Sequence, residues 1–139
     1  MKISAKGRYA LLMLVDLAEH RDQGYTSLKE IAERQDISKK YLEQIVIALN
    51  PLEIFASTRG VQGGYKLIKD PQDISVWDIL SLTEESMSSS PACLQENGQC
   101  DKEQCATRWV WAGLNEVTSE YLRSISLQDM VNRANDDQS

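Results

Sequence analysis

A chain of 139 residues, 42% hydrophobic and 26% charged, has the size and composition of a globular protein with one main domain and an appended helix. It contains no apolar run that could cross a bilayer and no apolar signal region with a cleavage site, which predicts residence in the cytoplasm. One histidine, no phosphate-binding loop and no paired catalytic carboxylates argue against an enzyme.

The net charge of −6 is unevenly distributed along the chain. Residues 1–69 carry 11 Lys/Arg against 8 Asp/Glu, whereas residues 70–139 carry 4 against 13. Affinity for nucleic acid follows the local patch rather than the total charge, so the first half is compatible with DNA binding. Solubility alone explains the acidic half.

The first predicted element is a helix over residues 6–20, where apolar positions recur at spacings of three and four. Apolar side chains cover most of its circumference, which predicts packing against both its own domain and a partner chain. Lys2, Lys6 and Arg8 crowd its start, where the helix dipole disfavours cations. Phosphate contact and surface solvation explain these cations equally well.

A helix-turn-helix is predicted next. Thr26 or Ser27 caps its first helix, Ser38 caps the second, and Pro51 ends the second, since the residue before proline avoids the helical region. Apolar residues three and four apart mark the inward face of both helices: Leu28, Ile31, Ala32, Ile37, Tyr41, Leu42, Ile45, Val46 and Leu49. Polar side chains on the opposite face of the second helix could contact phosphates and base edges: Lys39, Lys40, Glu43 and Gln44. By itself, this pattern suits an ordinary surface helix pair equally well.

A glycine-rich hairpin follows the second helix. Residues 54–58 and 65–69 are strand candidates, and the segment 59–64 between them has glycines where positive φ would be needed. A hairpin directly after a helix-turn-helix is the wing of a winged helix, and Arg59 at its tip suits the minor groove or a phosphate. A hairpin without a ligand is the alternative, but the order of elements favours DNA binding.

Three further helices are predicted in the second half of the chain. A short helix capped by Ser75 covers residues 75–82, and a long amphipathic helix over residues 106–122 has more apolar surface than one small domain can cover. The long helix is therefore expected to form a dimer interface. A last short helix capped by Ser126 is followed by a frayed tail from residue 133.

The predicted fold is mainly α with a small β-hairpin: a winged helix-turn-helix domain plus a long dimerisation helix. Its units are the DNA-binding domain at residues 1–83, an irregular cysteine loop at residues 84–105, and the dimerisation and C-terminal helices at residues 106–134.

Cys93, Cys100 and Cys105 lie within 13 residues. An odd number of cysteines in an intracellular chain argues against a disulfide framework. Thiolates are soft ligands for iron–sulfur clusters, zinc or copper(I). The sequence has no CxxC pair, so a zinc ribbon is not indicated. Three unligated thiols, open to oxidation, are the alternative. No fourth ligand stands out, because His20 is remote in sequence, Arg108 stays protonated, and the nearby acids favour water: Glu96, Asp101 and Glu103.

Three sequence blocks resemble the Rrf2 family of bacterial winged-helix regulators: residues 2–10, 37–44 and 59–65. The resemblance runs from residue 1 to about residue 131, and the cysteine triplet is similar to that of the IscR-like iron–sulfur members. It implies a homodimer in which the helix 106–122 crosses its mate. It also implies an iron–sulfur cluster, [2Fe–2S] in preference to [4Fe–4S], whose state changes affinity for double-stranded promoter DNA.

The resemblance also implies residue roles. Lys40, Glu43 and Gln44 fall where IscR-like proteins contact bases, and Arg59 falls on the wing that enters the minor groove. The full set of DNA-binding candidates is Lys2, Arg8, Ser38, Lys39, Lys40, Tyr41, Glu43, Gln44, Arg59, Gly60 and Tyr65, and the cluster candidates are Cys93, Cys100 and Cys105.

Both usual fourth cluster ligands are replaced in this chain. Arg108 stands where IscR has a histidine, and Arg8 stands where some relatives supply an acid from the partner chain. The predicted function is a repressor or activator that senses iron–sulfur, redox or nitric oxide status. A cluster-independent, CymR-like repressor controlled by thiol oxidation or a partner protein is the alternative. The wing argues against a third class, an electron carrier or metal-storage protein.

Overall fold

In the computed structural model, residues 2–88 and 102–137 are described, with side chains described throughout except at residues 102–105. This part of the chain contains six α-helices and one two-stranded antiparallel sheet. They are α1 (Ala5–Glu19), α2 (Leu28–Gln35), α3 (Lys39–Leu49), β1 (Phe55–Thr58), β2 (Gly64–Leu67), α4 (Val76–Thr83), α5 (Lys102–Ser124) and α6 (Leu127–Asp137). The predicted fold class is confirmed: a mostly helical winged helix-turn-helix with one hairpin.

One apolar core joins α1, α2, α3, α4 and α6. The fully buried side chains are Met13, Leu14, Leu17, Ile31, Leu42, Ile45, Leu49, Ile54, Ile74, Ile79 and Leu127. After α5 the chain returns to this core. Two hydrogen bonds fix the return: Leu127 N donates to Ile74 O (2.8 Å), and Val76 N donates to Ile125 O (2.9 Å). The last helix, α6, packs beside α1.

The α1 helix begins one residue earlier than predicted. The Ser4 hydroxyl caps it by accepting from Gly7 N at 3.1 Å. Its inward residues fill the core, whereas Leu12 on the opposite side is 44% exposed. The packing of α1 against its own domain is therefore observed, and the predicted contact with a partner chain stays a prediction.

The helix-turn-helix has the predicted caps. Ser27, not Thr26, caps α2 by accepting from Glu30 N, and Ser38 caps α3 by accepting from Tyr41 N, each at 3.1 Å. Between the helices, Asp36 has φ of 54°, a left-handed conformation that Asp tolerates better than most residues. Asp36 ends α2 in this conformation, and its backbone N–H donates to the Ala32 carbonyl.

The wing is shorter than predicted, with four paired residues in each strand from Phe55 opposite Leu67 to Thr58 opposite Gly64. Only part of the glycine argument holds. Gly60 has φ of 112°, but Gly63 is needed for space, since a Cβ there would lie 2.5 Å from the Thr58 carbonyl oxygen. A Cβ on Gly64 would collide with the Thr26 carbonyl. Glycine therefore serves both conformation and close approach.

The C-terminal helices are longer than predicted. The α5 helix begins at Lys102 rather than residue 106, and its first three residues (Lys, Glu and Gln) are strong helix formers without apolar periodicity. The sequence predicts a frayed tail from residue 133, and this is wrong: α6 continues to Asp137. Ser126 and Asp129 cap α6 reciprocally (2.9 and 3.0 Å), and the buried Leu127 and Val131 anchor it. No helix in the described ranges is both long and apolar enough to span a membrane.

Candidate nucleic-acid interface

The outer face of α3 is polar and open to solvent. One side of α3 packs into the core through Leu42, Ile45 and Leu49. Four polar residues lie on the opposite side, and all four are exposed: Lys39, Lys40, Glu43 and Gln44. This is the arrangement expected of a helix that enters the major groove. Ile47 continues the same face and is 68% exposed, which the polar–apolar pattern did not anticipate.

Two candidates at the start of α3 also serve the structure. The Ser38 side-chain oxygen is engaged as the helix cap. The Tyr41 ring lies edge-on to the Tyr9 ring of α1, with centroids 5.6 Å apart. These contacts orient the first turn of α3, so that Lys39 and Lys40 leave the domain in a defined direction.

The wing lies across a cleft from α3. Arg59, Gly60 and Val61 are all exposed at the hairpin tip, Val61 completely. The cleft has a volume of about 870 Å³, and its walls are formed by Lys29, Lys39, Glu43, Val46, Ile47 and Asn50 from the helices and by Ser57, Gly60, Val61, Gly63, Gly64 and Tyr65 from the hairpin. Helix and wing thus form the two sides of one open cleft.

Tyr65 holds the wing in position. Its backbone exchanges two hydrogen bonds with Thr26, N to O in both directions at 2.8 Å. Its ring meets Phe55 edge-on with centroids 6.0 Å apart. The second strand of the hairpin is therefore joined to the α1–α2 connection. Tyr65, in β2, lies opposite Ser57 and lines the cleft.

The cations at the start of α1 have an acidic neighbour that the sequence pattern did not reveal. Glu84, just after α4, accepts a hydrogen bond from Ser4 N at 2.8 Å, and its carboxylate lies over Gly7. The first turn of α1 has no acidic residue of its own. Glu84 thus supplies the negative charge that the helix dipole favours, while Lys2 and Arg8 stay exposed.

A buried carboxylate joins α1 to α2. Asp16 is 1% exposed, and it accepts hydrogen bonds from Arg34 Nε (2.9 Å), Arg34 Nη2 (2.7 Å) and Gln35 Nε2 (3.0 Å). Burial by itself would raise the pKa of Asp16, but these hydrogen bonds and the Arg34 charge hold it below its ordinary value. The first helix of the helix-turn-helix is thereby locked onto the core helix.

The proposed cluster ligands are mostly beyond the structural description. Cys93 and Cys100 lie outside the described residues, and Cys105 lies near the start of α5 where only the backbone is described. Within residues 2–88 and 106–137, no three His, Cys, Asp or Glu side chains converge on a potential metal position. His20 is engaged elsewhere, with Nδ1 2.7 Å from the Asp16 carbonyl oxygen, while Arg108 is exposed on α5.

The α5 helix exposes a continuous apolar face. Val110, Leu114, Val117 and Tyr121 are 39%, 45%, 65% and 64% exposed, and Trp109 beside them is 76% exposed. Their spacing of four, three and four residues is that of a coiled-coil seam. Near the C-terminal end of α5, the Arg123 guanidinium lies 4.7 Å from the centroid of the Trp77 ring on α4.

Comparison with known proteins points in one direction. Residues 3–133 match the Rrf2 family model, described as an iron-dependent transcriptional regulator. The chain is 37% identical over 132 residues to the HTH-type transcriptional regulator IscR of Serratia proteamaculans, across 95% of this chain and 80% of that protein.

Two solved structures extend the likeness. T. potens IscR matches with a TM-score of 0.78 and 37% identity, over all of this chain and 92% of that one. CymR, the global cysteine regulator of B. subtilis, matches with a TM-score of 0.80 and 34% identity, over 96% of this chain and 98% of that one. The family model and the Serratia protein are described as transcriptional regulators, and none of these relatives is named as an enzyme.

Proposed function

Because the chain belongs to the Rrf2 family of transcriptional regulators, we propose that it is a homodimeric repressor or activator whose promoter affinity is controlled by an iron–sulfur cluster. The cluster would be held by Cys93, Cys100 and Cys105. Its target is promoter DNA in the bacterial cytoplasm. The observation that carries the DNA-binding part is the polar face of α3 opposite the Arg59 wing, across one cleft.

The roles proposed for the interface follow from side-chain chemistry and position. Glu43 and Gln44 suit base edges, since a carboxylate accepts from cytosine N4 and an amide pairs with adenine. Arg59 suits the minor groove, and the lysines suit phosphates. Ser38, Tyr41 and Tyr65 position these groups, and Gly60 shapes the wing tip.

A test of the wing compares Arg59→Ala with Lys69→Ala, which removes an exposed cation just beyond β2. Binding to a promoter fragment is measured across a salt series. Loss of one phosphate or groove contact should weaken binding and reduce the salt slope by roughly 1. Equal behaviour of the two variants at physiological salt would contradict the role of the wing.

Dimerisation is supported by the length and seam of α5. The helix spans 23 residues, about 34 Å at 1.5 Å per residue, and exposes the apolar positions described above. Apolar surface of this extent on one helix is typical of a protein–protein interface. A second copy supplies the same seam by symmetry, so the two α5 helices would pair.

The cluster proposal is supported by the donor set: three thiolates within 13 residues match the ligand type of iron–sulfur centres. When bound, the cluster would supply a centre sensitive to redox state and nitric oxide, with [2Fe–2S] preferred over [4Fe–4S]. The chain offers a physical link from that segment to the DNA-binding face. Glu84, nine residues before Cys93, contacts Ser4, beside Lys2 and Arg8.

The deciding experiment is anaerobic purification, followed by the visible absorbance spectrum and assays of iron and sulfide. Wild type should be coloured, and Cys→Ala at residue 93, 100 or 105 should remove the colour. Ser88→Ala would be the control in the same region. Colourless wild type without iron would refute cluster control while leaving DNA binding intact.

A cluster-independent regulator is the second candidate, and one observation favours it. Arg108 replaces the histidine that serves as fourth ligand in IscR-like proteins, and a guanidinium cannot ligate a metal. The similarity to CymR is consistent with this candidate. In that case, iron-free protein would bind the promoter, and thiol oxidation or a partner protein would change its affinity.

A further inference from the structure

We propose that Ile47 determines part of the operator sequence by contacting the C5-methyl group of a thymine in the major groove. The inference rests on the proposed DNA-binding function and adds to it a base preference that the polar residues of α3 do not provide.

The position of Ile47 is the first argument. It lies seven residues after Lys40, four after Glu43 and three after Gln44, so all four share the outward face of α3. Its side chain is 68% exposed. The buried stripe of the same helix passes through Ile45, Val46 and Leu49. Ile47 thus contributes its apolar surface to the DNA-facing side and not to the core.

The surroundings of Ile47 indicate which ligand group it meets. Lys29 and Lys39 line the same cleft with Glu43, so two cations face one acid there, a balance suited to a DNA strand. A phosphate gains nothing from an isoleucine, and neither do the polar base edges. The thymine methyl is the apolar group that the major groove presents. An aliphatic side chain beside Glu43 therefore has one complementary partner in duplex DNA.

Helix geometry also predicts where this thymine lies. Glu43 and Ile47 are separated by about 6 Å along the axis of α3, at 1.5 Å per residue. Ile47 therefore lies about one helical turn beyond Glu43, and its thymine should lie close to the base that Glu43 contacts.

The experiment removes the C5-methyl group on the DNA side of the contact and the aliphatic side chain on the protein side. High-affinity duplexes are first selected from a random pool by wild-type protein. Each thymine of the selected site is then replaced in turn by deoxyuridine, which lacks only the C5-methyl. Binding is measured for wild type, for Ile47→Ser and for a control, Ile68→Ser, which removes a 60% exposed isoleucine just after β2.

At one thymine per half-site, wild type and Ile68→Ser should lose about fourfold in affinity, the effect of burying one methyl group. Ile47→Ser changes both protomers, so it should bind the thymine duplex about fourfold more weakly per half-site, or roughly 16-fold for the dimer, and show no further loss with deoxyuridine. An unchanged deoxyuridine effect in Ile47→Ser, or none in wild type, would overturn the inference. Failure to select any sequence would instead overturn the proposed function.

Discussion

Replacing Arg34 by methionine should destabilise the protein more than replacing its partner Asp16 by asparagine. Asp16 is 1% exposed, whereas the side chain of Arg34 is 37% exposed. In Arg34→Met, the carboxylate stays buried with one side-chain donor, Gln35. In Asp16→Asn, the arginine can turn to water. Removing one partner of a buried pair costs about 3–5 kcal/mol, and the partial exposure of Arg34 puts Arg34→Met near 3 kcal/mol.

The expected cost of Asp16→Asn is smaller, about 1–2 kcal/mol, because a neutral amide still fills the site and can accept one hydrogen bond. Urea denaturation at fixed protein concentration gives both values. Arg59→Met is the matched control: it makes the same substitution at an exposed wing position, so its free energy of unfolding should stay within about 0.5 kcal/mol of wild type.

The pH dependence separates charge from packing. The folded-state pKa of Asp16 lies below its unfolded value, so this group stabilises wild type above about pH 4 and the contribution is lost as pH falls through the folded pKa. In Arg34→Met, the buried Asp16 carboxylate lacks its arginine partner, so protonation of this carboxylate should relieve the penalty. The difference in unfolding free energy should therefore shrink between pH 7 and pH 4. A penalty below 1 kcal/mol, or one independent of pH, would refute the reasoning.

Three further predictions concern the interface, the wing and the start of α1. Val117→Glu places a charge in the apolar seam of α5 and should shift the population from dimer to monomer in sedimentation. The dissociation constant should rise at least tenfold (about 1.4 kcal/mol). Ala112→Glu, on the opposite side of α5, should leave it unchanged. Gly64→Ala should cost about 1–3 kcal/mol in urea denaturation, because its Cβ would meet the Thr26 carbonyl and push the wing away. Glu84→Gln should cost about 0.3–1 kcal/mol by removing the charge at the start of α1, and the same change at the exposed neighbouring Glu85 should cost less.

Local sequence determined most of the helical framework. Ser27, Ser38 and Ser75 cap their helices, as each hydroxyl accepts from a backbone N–H of the first turn. These caps could be predicted because a serine just before an apolar repeat is a local signal. The repeat of three and four residues in α3 separates a buried face from an exposed one, so the candidate DNA-contacting residues could be chosen without coordinates. The length of α6 was missed because only Leu127 and Val131 of that helix are buried, too few for a visible repeat.

Tertiary structure alone decided which distant groups meet. The contacts of Glu84 with Ser4, of Arg34 with Asp16 and of Tyr65 with Thr26 join residues far apart in the chain. No periodic pattern encodes such pairs, because they depend on how complete helices pack. Ile47 shows both contributions. The repeat in α3 places this side chain on the outward face, and only the packing of the hairpin beside α3 brings it into the cleft next to the wing.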